Sequence, residues 1–410
     1  MLNWLNRFNI FCFLDNHNYP DRQHSYECLL AAGALKTLKA DAGNALEQLK
    51  TFALQQADWL FGHLGYDLKN ETEGAQSNNP DGIGFPDLFF FTPEIVIKVG
   101  NGVISIGSFA QDHESIFDAI SQTRIREDGE GNPKINLQAK IAEAAYIDIV
   151  KDLQRHILRG DCYEINFCQE FFAAGVLLDP LQTYLHLSRI SPSPFAAFYK
   201  LEDRYLLSAS PERFLCREGN RLISEPMKGT WERNSKDITE DKKNRERLYH
   251  SAKERAENVM VVDLVRNDLS KISIPGSVQV DELFGIYSFP QVHQMISTVS
   301  GEPLPGLHWT DILKSTFPMG SMTGAPKKKV VELIENYEKS KRGLYSGAVG
   351  YISPDGNFDF NVVIRSILYN SQNKYLSFQV GSGITYYSDA KKEYEECLLK
   401  AAALKKVLVA

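Results

Sequence analysis

Tyr146, Ile149, Val150, Leu153 and Ile157 recur every third or fourth position, the period of one helix face, and Gly160 follows as a left-handed stop. The spacing predicts an amphipathic helix over 138–159. The period then drops to two, with Tyr163, Ile165 and Phe167 alternating with Glu164, Asn166 and Cys168, which predicts a strand. A hairpin is predicted from Leu344 to Ser353, the turn Pro354-Asp355-Gly356-Asn357, and Phe358 to Tyr369. The N-terminal third is less regular. It predicts helices over Tyr26 to Leu38 and Gly43 to Phe61, a polar loop through 77–82, and strands at Leu88 to Phe91 and Glu94 to Val99. Arg126 to Pro133 is charged and rich in Gly and Pro, continues neither kind of element, and reads as a linker. It divides an N-terminal α/β part, 1–130, completing the core, from a catalytic domain, 131–410. Helices and strands are interspersed without strict βαβ alternation and hairpin signals dominate, so the expected class is α+β, with large antiparallel sheets forming a β-sandwich core flanked by helices.

Composition narrows the partners. A chain of 410 residues, 43% hydrophobic and 24% charged, can bury a large core, and a net charge of −7 argues against nucleic acid or an anionic membrane as a partner. An anionic substrate then needs a local cationic site. The six cysteines (Cys12, Cys28, Cys162, Cys168, Cys216, Cys397) form no C-x-x-C pair and no zinc-spaced cluster with histidine, and read as reduced packing thiols. Met1 to Asn16 is apolar but interrupted by Asn3, Asn6, Arg7 and Asn9, leaving a run too short for a signal peptide or a membrane span. The expected location is the cytoplasm.

Candidate chemistry lies in the last two-thirds. Glu254 and Glu257, and again Glu393 and Glu396, lie three apart, so each pair occupies one face of a predicted helix, and Lys400 follows Glu396 by one turn. An isolated E-x-x-E is ordinarily a solvated face. Two such pairs suit Mg²⁺, a hard cation that takes one or two carboxylates directly and keeps waters. Lys228 sits in Ser224-Glu225-Pro226-Met227-Lys228-Gly229-Thr230, where proline fixes the preceding backbone and glycine permits close approach of a ligand. Most Lys-Gly pairs are turn surface. A buried lysine, however, loses its proton more easily, and the free amine is a competent nucleophile. Glu212, in Ser208-Ala209-Ser210-Pro211-Glu212-Arg213-Phe214, is a strand or turn start that burial would make a general acid. Phe317 to Lys327 is a glycine-bearing loop entering a helix with proline in its first turn, either an ordinary cap or a source of amide donors for an anion. Arg365 is placed on the strand face of Asp359, Asn361 and Val363, Tyr345 on the partner strand, and Gly381-Ser382-Gly383 lets backbone approach a ligand.

These segments together resemble the chorismate-utilising enzymes, from about residue 141 to the end, most specifically in Glu257 to Asp268 and Phe317 to Lys327. Lysine at 228, where most members carry a small or apolar residue, marks the branch of aminodeoxychorismate synthase component I. The resemblance implies chorismate as substrate, Mg²⁺ as cofactor, and ammonia delivered by a separate glutamine amidotransferase subunit. It assigns catalysis to Lys228 and Glu212, and the metal to Glu257 and Glu396 with Glu254 and Glu393 behind them through water. Substrate contacts fall to Ser321, Thr323, Tyr345, Arg365, Gly381, Gly383, Lys400 and Gln294, while Asp263, Arg266, Asn267 and Asp268 hold the scaffold.

Two positions depart from the pattern. Gln294 stands where relatives carry the histidine that assists pyruvate loss in anthranilate formation, with His293 one residue early; Glu164 stands where the amination branch usually has glutamine and the water-adding relatives a lysine base. Leu29-Leu30-Ala31-Ala32-Gly33 replaces the Leu-Leu-Glu-Ser type signature, so tryptophan inhibition is not expected. Anthranilate synthase component I, and a catalytically weak homologue serving as a binding or regulatory subunit, are the alternative readings.

Overall fold

Strand residues here are sorted by parity. In Ile10–Asp15 and Cys28–Ala32, Cys12, Leu14, Leu29 and Ala31 enter one hydrophobic core while Phe11, Phe13, Leu30 and Ala32 enter another. Successive side chains of a strand point to opposite faces, so such strands lie in a sheet covered on both sides. The computed structural model describes residues 1–19, 26–124, 135–234 and 236–409. Among them an eleven-stranded and a ten-stranded antiparallel sheet share the first core, which also takes in Phe61, Phe90, Leu215 and Phe360 of the second sheet. The other face of the eleven-stranded sheet is covered by helices Glu143–Leu158, Pro180–Ile190, Lys327–Tyr337 and Ala390–Val409. The expected α+β class with large antiparallel sheets is the observed one.

N-terminal strands are built into both sheets. Ile10–Asp15 pairs with Phe195–Leu201 in one, and Leu60–Leu64 with Ala348–Ile352 in the other. The linker expected at 126–133 lies outside the described residues. Strands at Leu88–Thr92 and Ile95–Gly100 and a helix at Glu143–Leu158 match expectation, the helix beginning later because Gln138–Ala139 pairs with Phe171 and Phe172 as a short strand.

Three expectations need correction. The helix over Tyr26 to Leu38 is two strands, Cys28–Ala32 and Lys36–Ala40, parted at Gly33, whose φ of +70° ends the first. An unbroken apolar run buried on both faces has no two-residue period to betray it. The helix over Gly43 to Phe61 stops at Leu54, and Leu60–Leu64 is a fully buried strand. The single strand over Phe358 to Tyr369 is two, Phe358–Val362 in the ten-stranded sheet and Ser366–Asn370 in the eleven-stranded one. The chain crosses between sheets at Ile364-Arg365, and a second crossover runs beside it through Pro211-Glu212, between Arg204–Ser210 and Arg213–Glu218. The crossovers are bonded together: Val362 N donates to the Glu212 carbonyl at 3.0 Å, Ala209 N to that of Arg365 at 3.2 Å, and Ser210 Oγ to that of Val362 at 2.6 Å.

Candidate active site

The crossovers carry Glu212 and Arg365 into one cavity. Arg365 is therefore not on the strand face of Asp359 and Asn361: it has left-handed backbone, φ +49°, while Asp359 pairs with the buried Arg213 at 3.0 Å. Left-handed backbone costs a non-glycine residue about 1–2 kcal/mol. Tyr345 likewise precedes the strand Ala348–Ile352 and lines the cavity, its hydroxyl 3.8 Å from Cys168 Sγ.

Lys228 reaches this cavity from a β-bulge. The strand Met227–Glu232 pairs Met227 with Ile296 and Thr230 with Gln294, and the register shift falls on Lys228-Gly229, with Gly229 at φ +103°. A bulge re-aims the side chain it carries. Its backbone is held from the helix Ala252–Ser270, where Asn258 Nδ2 donates to the Lys228 carbonyl at 3.4 Å and is itself fixed by Ser297 Oγ at 2.6 Å. Lys228 Nζ lies 2.6 Å from Glu164 Oε1, and both pack on Gly383, where a Cβ would come within 2.2 Å of Nζ. Gly383 thus serves by making room.

The Lys228 side chain is 12% exposed, but the depressed pKa expected from burial is not what the site provides. Burial does work to lower it, yet Glu164 and Glu257 outweigh burial and hold the ammonium well above the ordinary lysine value. Glu212 behaves as expected. It is 3% exposed, and desolvation pushes its carboxyl up to about 7 against the opposing pull of Ser321, the Met227 amide, Lys228 and Lys400. Burial of Arg365 lowers its guanidinium to about 10, with Glu212 acting the other way.

Gln294 joins the site. With its amide turned to suit both neighbours, its oxygen accepts from Arg365 Nη2 at 2.6 Å and its nitrogen donates to Thr230 Oγ1 at 3.0 Å and the Gly229 carbonyl at 3.1 Å. His293 does not replace the missing histidine. Alternation sends it to the opposite face, where it meets Ser288 Oγ at 2.9 Å and Asp241 at 3.1 Å. Ser321 lines the cavity, whereas the buried Thr323 hydroxyl donates to the carbonyls of Met319 and Gly320. The loop around it is stitched to the neighbouring strand, Gly324-Ala325 pairing with Ile165-Glu164.

The four paired glutamates face each other from two helices, Ala252–Ser270 and Ala390–Val409, and Glu254, Glu257 and Glu396 line the cavity. Lysines hold them. Lys400 meets Glu396 at 2.8 Å and donates to the Gly381 carbonyl at 2.9 Å, and Lys253 meets Glu393 at 3.2 Å. Burial raises Glu257 to about 7 and raises Glu254, while for Glu396 burial is overcome by Lys400 and the carboxyl is lowered. Among the described residues no three carboxylates, thiols or imidazoles converge as a finished metal site. The donor chemistry nevertheless suits a hard cation, since every donor is a carboxylate oxygen and Glu257 Oε1 is buried with no hydrogen-bond partner. Of the expected scaffold residues, Asp268 does hold one, tying Lys327 at 2.7 Å to its helix.

With this geometry in view, comparison with known proteins is decisive for the family. Residues 14–406 match the chorismate binding enzyme family. The chain belongs to it. Aminodeoxychorismate synthase component 1 of Salmonella typhimurium is 34% identical over 82% of this chain and 73% of that protein. Anthranilate synthase component 1 of Thermus thermophilus is 32% identical over 85% of this chain and 77% of that protein. The crystal structure of anthranilate synthase component I from Streptococcus pneumoniae superposes with a TM-score of 0.80 at 28% identity, covering 95% and 94% of the two chains. The chain is therefore an enzyme of the chorismate-utilising fold. Overall identity barely separates these two relatives, 34% against 32%, so the choice between the branches falls to individual residues. Among the described residues, no helix is long and apolar enough to cross a membrane.

Proposed function

We propose that this enzyme converts chorismate and ammonia to 4-amino-4-deoxychorismate, the step leading toward para-aminobenzoate and folate. The observation that carries the reading is Lys228: an amine aimed by a bulge into the same cavity as a carboxyl whose pKa is about 7. Lys228, once its proton has passed to solvent, attacks C2 of the ring as the double bonds shift and the C4–O bond breaks, and Glu212 delivers a proton to the departing oxygen, which leaves as water. Ammonia then attacks C4, the double bonds return, and the C2–N bond breaks to restore Lys228. Arg365, Tyr345 and Ser321, which line the cavity, would donate to the substrate carboxylates, with Gln294 bracing Arg365. Glu257 and Glu396, supported by Glu254 and Glu393, would hold Mg²⁺, which supplies charge to fix the ring carboxylate.

Ammonia is assigned to a separate glutamine amidotransferase subunit, because glutamine hydrolysis needs a reactive thiolate. All six thiols of this chain are free, and burial pushes every one of them above its ordinary value. Gln294 weighs against anthranilate formation, since an amide cannot carry the proton that pyruvate loss calls for. Incubating the enzyme with chorismate, Mg²⁺ and ammonium and identifying the product by mass spectrometry tests the assignment. The 4-amino compound is expected, and the Lys228→Ala variant should bind chorismate but not form it. Anthranilate as the main product, or near-normal turnover by that variant, overturns the reading.

A further inference from the structure

Lys253 touches both glutamate-bearing helices and has no part in the proposed reaction. It starts on the helix Ala252–Ser270, reaches across to Glu393 Oε1 at 3.2 Å on the helix Ala390–Val409, and lies 3.7 Å from Glu257 Oε1 on its own helix. Its partners are deep, Glu393 at 2% side-chain exposure and Glu257 at 9%, but Lys253 itself is 43% exposed, so its stem has solvent to swing into. The 3.7 Å contact is too long for a hydrogen bond, which leaves Glu257 Oε1 buried and unbonded beside a cation that does not satisfy it.

A divalent cation would satisfy that oxygen better, since Mg²⁺ approaches a carboxylate oxygen at about 2.1 Å. It cannot do so with Lys253 in place. Two cations gathered on the same oxygens would stand only a few ångströms apart in a poorly solvated pocket, and their repulsion there is far stronger than in water. Lys400 is not an equivalent obstacle, because it is anchored a second time on the Gly381 carbonyl and lines the cavity.

We propose that Lys253 and Mg²⁺ compete for Glu257 and Glu393: the lysine bridges the two helices in place of the metal, is expelled toward solvent when the metal binds, and thereby sets the metal concentration at which the site loads. This rests on the metal site of the proposed function. The balance is simple exchange, one ammonium leaving Glu257 and Glu393 as one hydrated Mg²⁺ takes its place, losing water to Glu257 and keeping water toward Glu393, with no bond to carbon made or broken.

The test is lysine footprinting of the full-length enzyme by reductive methylation and peptide mass spectrometry, with chorismate present and ammonium absent, with and without Mg²⁺. Labelling of Lys253 should rise several-fold on adding Mg²⁺ while that of the exposed Lys314 stays constant. Calorimetric titration with Mg²⁺ should show Lys253→Met binding more tightly than wild type, by on the order of tenfold. If wild type binds no Mg²⁺ under these conditions, the metal reading fails and the competition with it. If Mg²⁺ binds but Lys253 labelling does not move, or Lys253→Met binds no more tightly, the competition alone is overturned. Should the variant fail to fold, the wild-type footprint still decides.

Discussion

At the scale of single residues, the ion pair between Lys228 and Glu164 would govern when the proposed nucleophile is free. Glu164 is the largest influence raising the lysine, against burial, so Glu164→Gln should bring its pKa down and enlarge the fraction of free amine at neutral pH. With the lysine titrating far above Glu212, free amine and protonated acid coexist only in a minor fraction, so Glu164→Gln should raise kcat at neutral pH; an unchanged kcat would show that Lys228 ionisation does not limit turnover. Glu212 acts in the opposite direction. Because it titrates near 7, below the lysine, it should set the pH at which kcat stops rising, and Glu212→Gln should remove that break and cost about 10²–10⁴ in kcat. Its folded pKa lies above the ordinary carboxylate value, so the stability it contributes is fully present below about 4.5 and lost as pH rises through about 7. Glu212→Gln should accordingly raise the Tm relative to wild type at pH 8 but not at pH 4. Lys228 and Glu212 were legible in the sequence as candidates, and so was the Glu396–Lys400 contact, because i,i+4 spacing on a helix fixes geometry. The Lys228–Glu164 pair was not, since nothing in two strands of different sheets announces that their side chains meet.

At the scale of elements, the strand Glu164–Ala173 is held in register with the loop 319–324 by a buried pair. Arg342 Nη2 meets Glu338 Oε1 at 2.7 Å, and donates from Nη2 to the Asn166 carbonyl at 2.8 Å and from Nη1 to that of Met322 at 2.6 Å, while Glu338 accepts from the Cys168 amide at 2.9 Å. Removing one partner leaves an uncompensated buried charge, so Arg342→Ala should lose about 3–5 kcal/mol in urea unfolding. It should also lower kcat, because Glu164 and Ser321 sit on the two segments the clamp joins; an unchanged urea midpoint would deny the clamp its structural role. Elements with a clean period, such as Glu143–Leu158 with its stop at Gly160, were readable in advance. Those covered on both faces were not: Leu29 to Ala32 and Leu60 to Leu64 are apolar at every or nearly every position, and only tertiary packing makes them strands. Arg365 lines the cavity but was placed wrongly, because a change of sheet within an apolar run leaves no local mark.

At the scale of the molecule, the site is shared between layers. The helix carrying Glu254 and Glu257 packs on Met227–Glu232 and Val292–Gly301 of the ten-stranded sheet, and the helix carrying Glu393 and Glu396 packs on Tyr375–Ile384 of the eleven-stranded one. A metal and a dicarboxylate bound between them would tie the layers together, and ligand that binds only the folded state stabilises it by mass action, about 2.7 kcal/mol at a hundredfold excess over Kd. Mg²⁺ and chorismate added together should therefore raise the Tm by more than the sum of their separate effects. Glu257→Gln removes a donor from one layer and Glu396→Gln from the other, so each should abolish both the joint shift and Mg²⁺-dependent turnover. Glu395 is exposed on the same helix and outside the cavity, and Glu395→Gln should retain both. If all three variants behave alike in the thermal shift, the carboxylates do not hold the metal, and the coupling of the two layers through the site fails with that assignment.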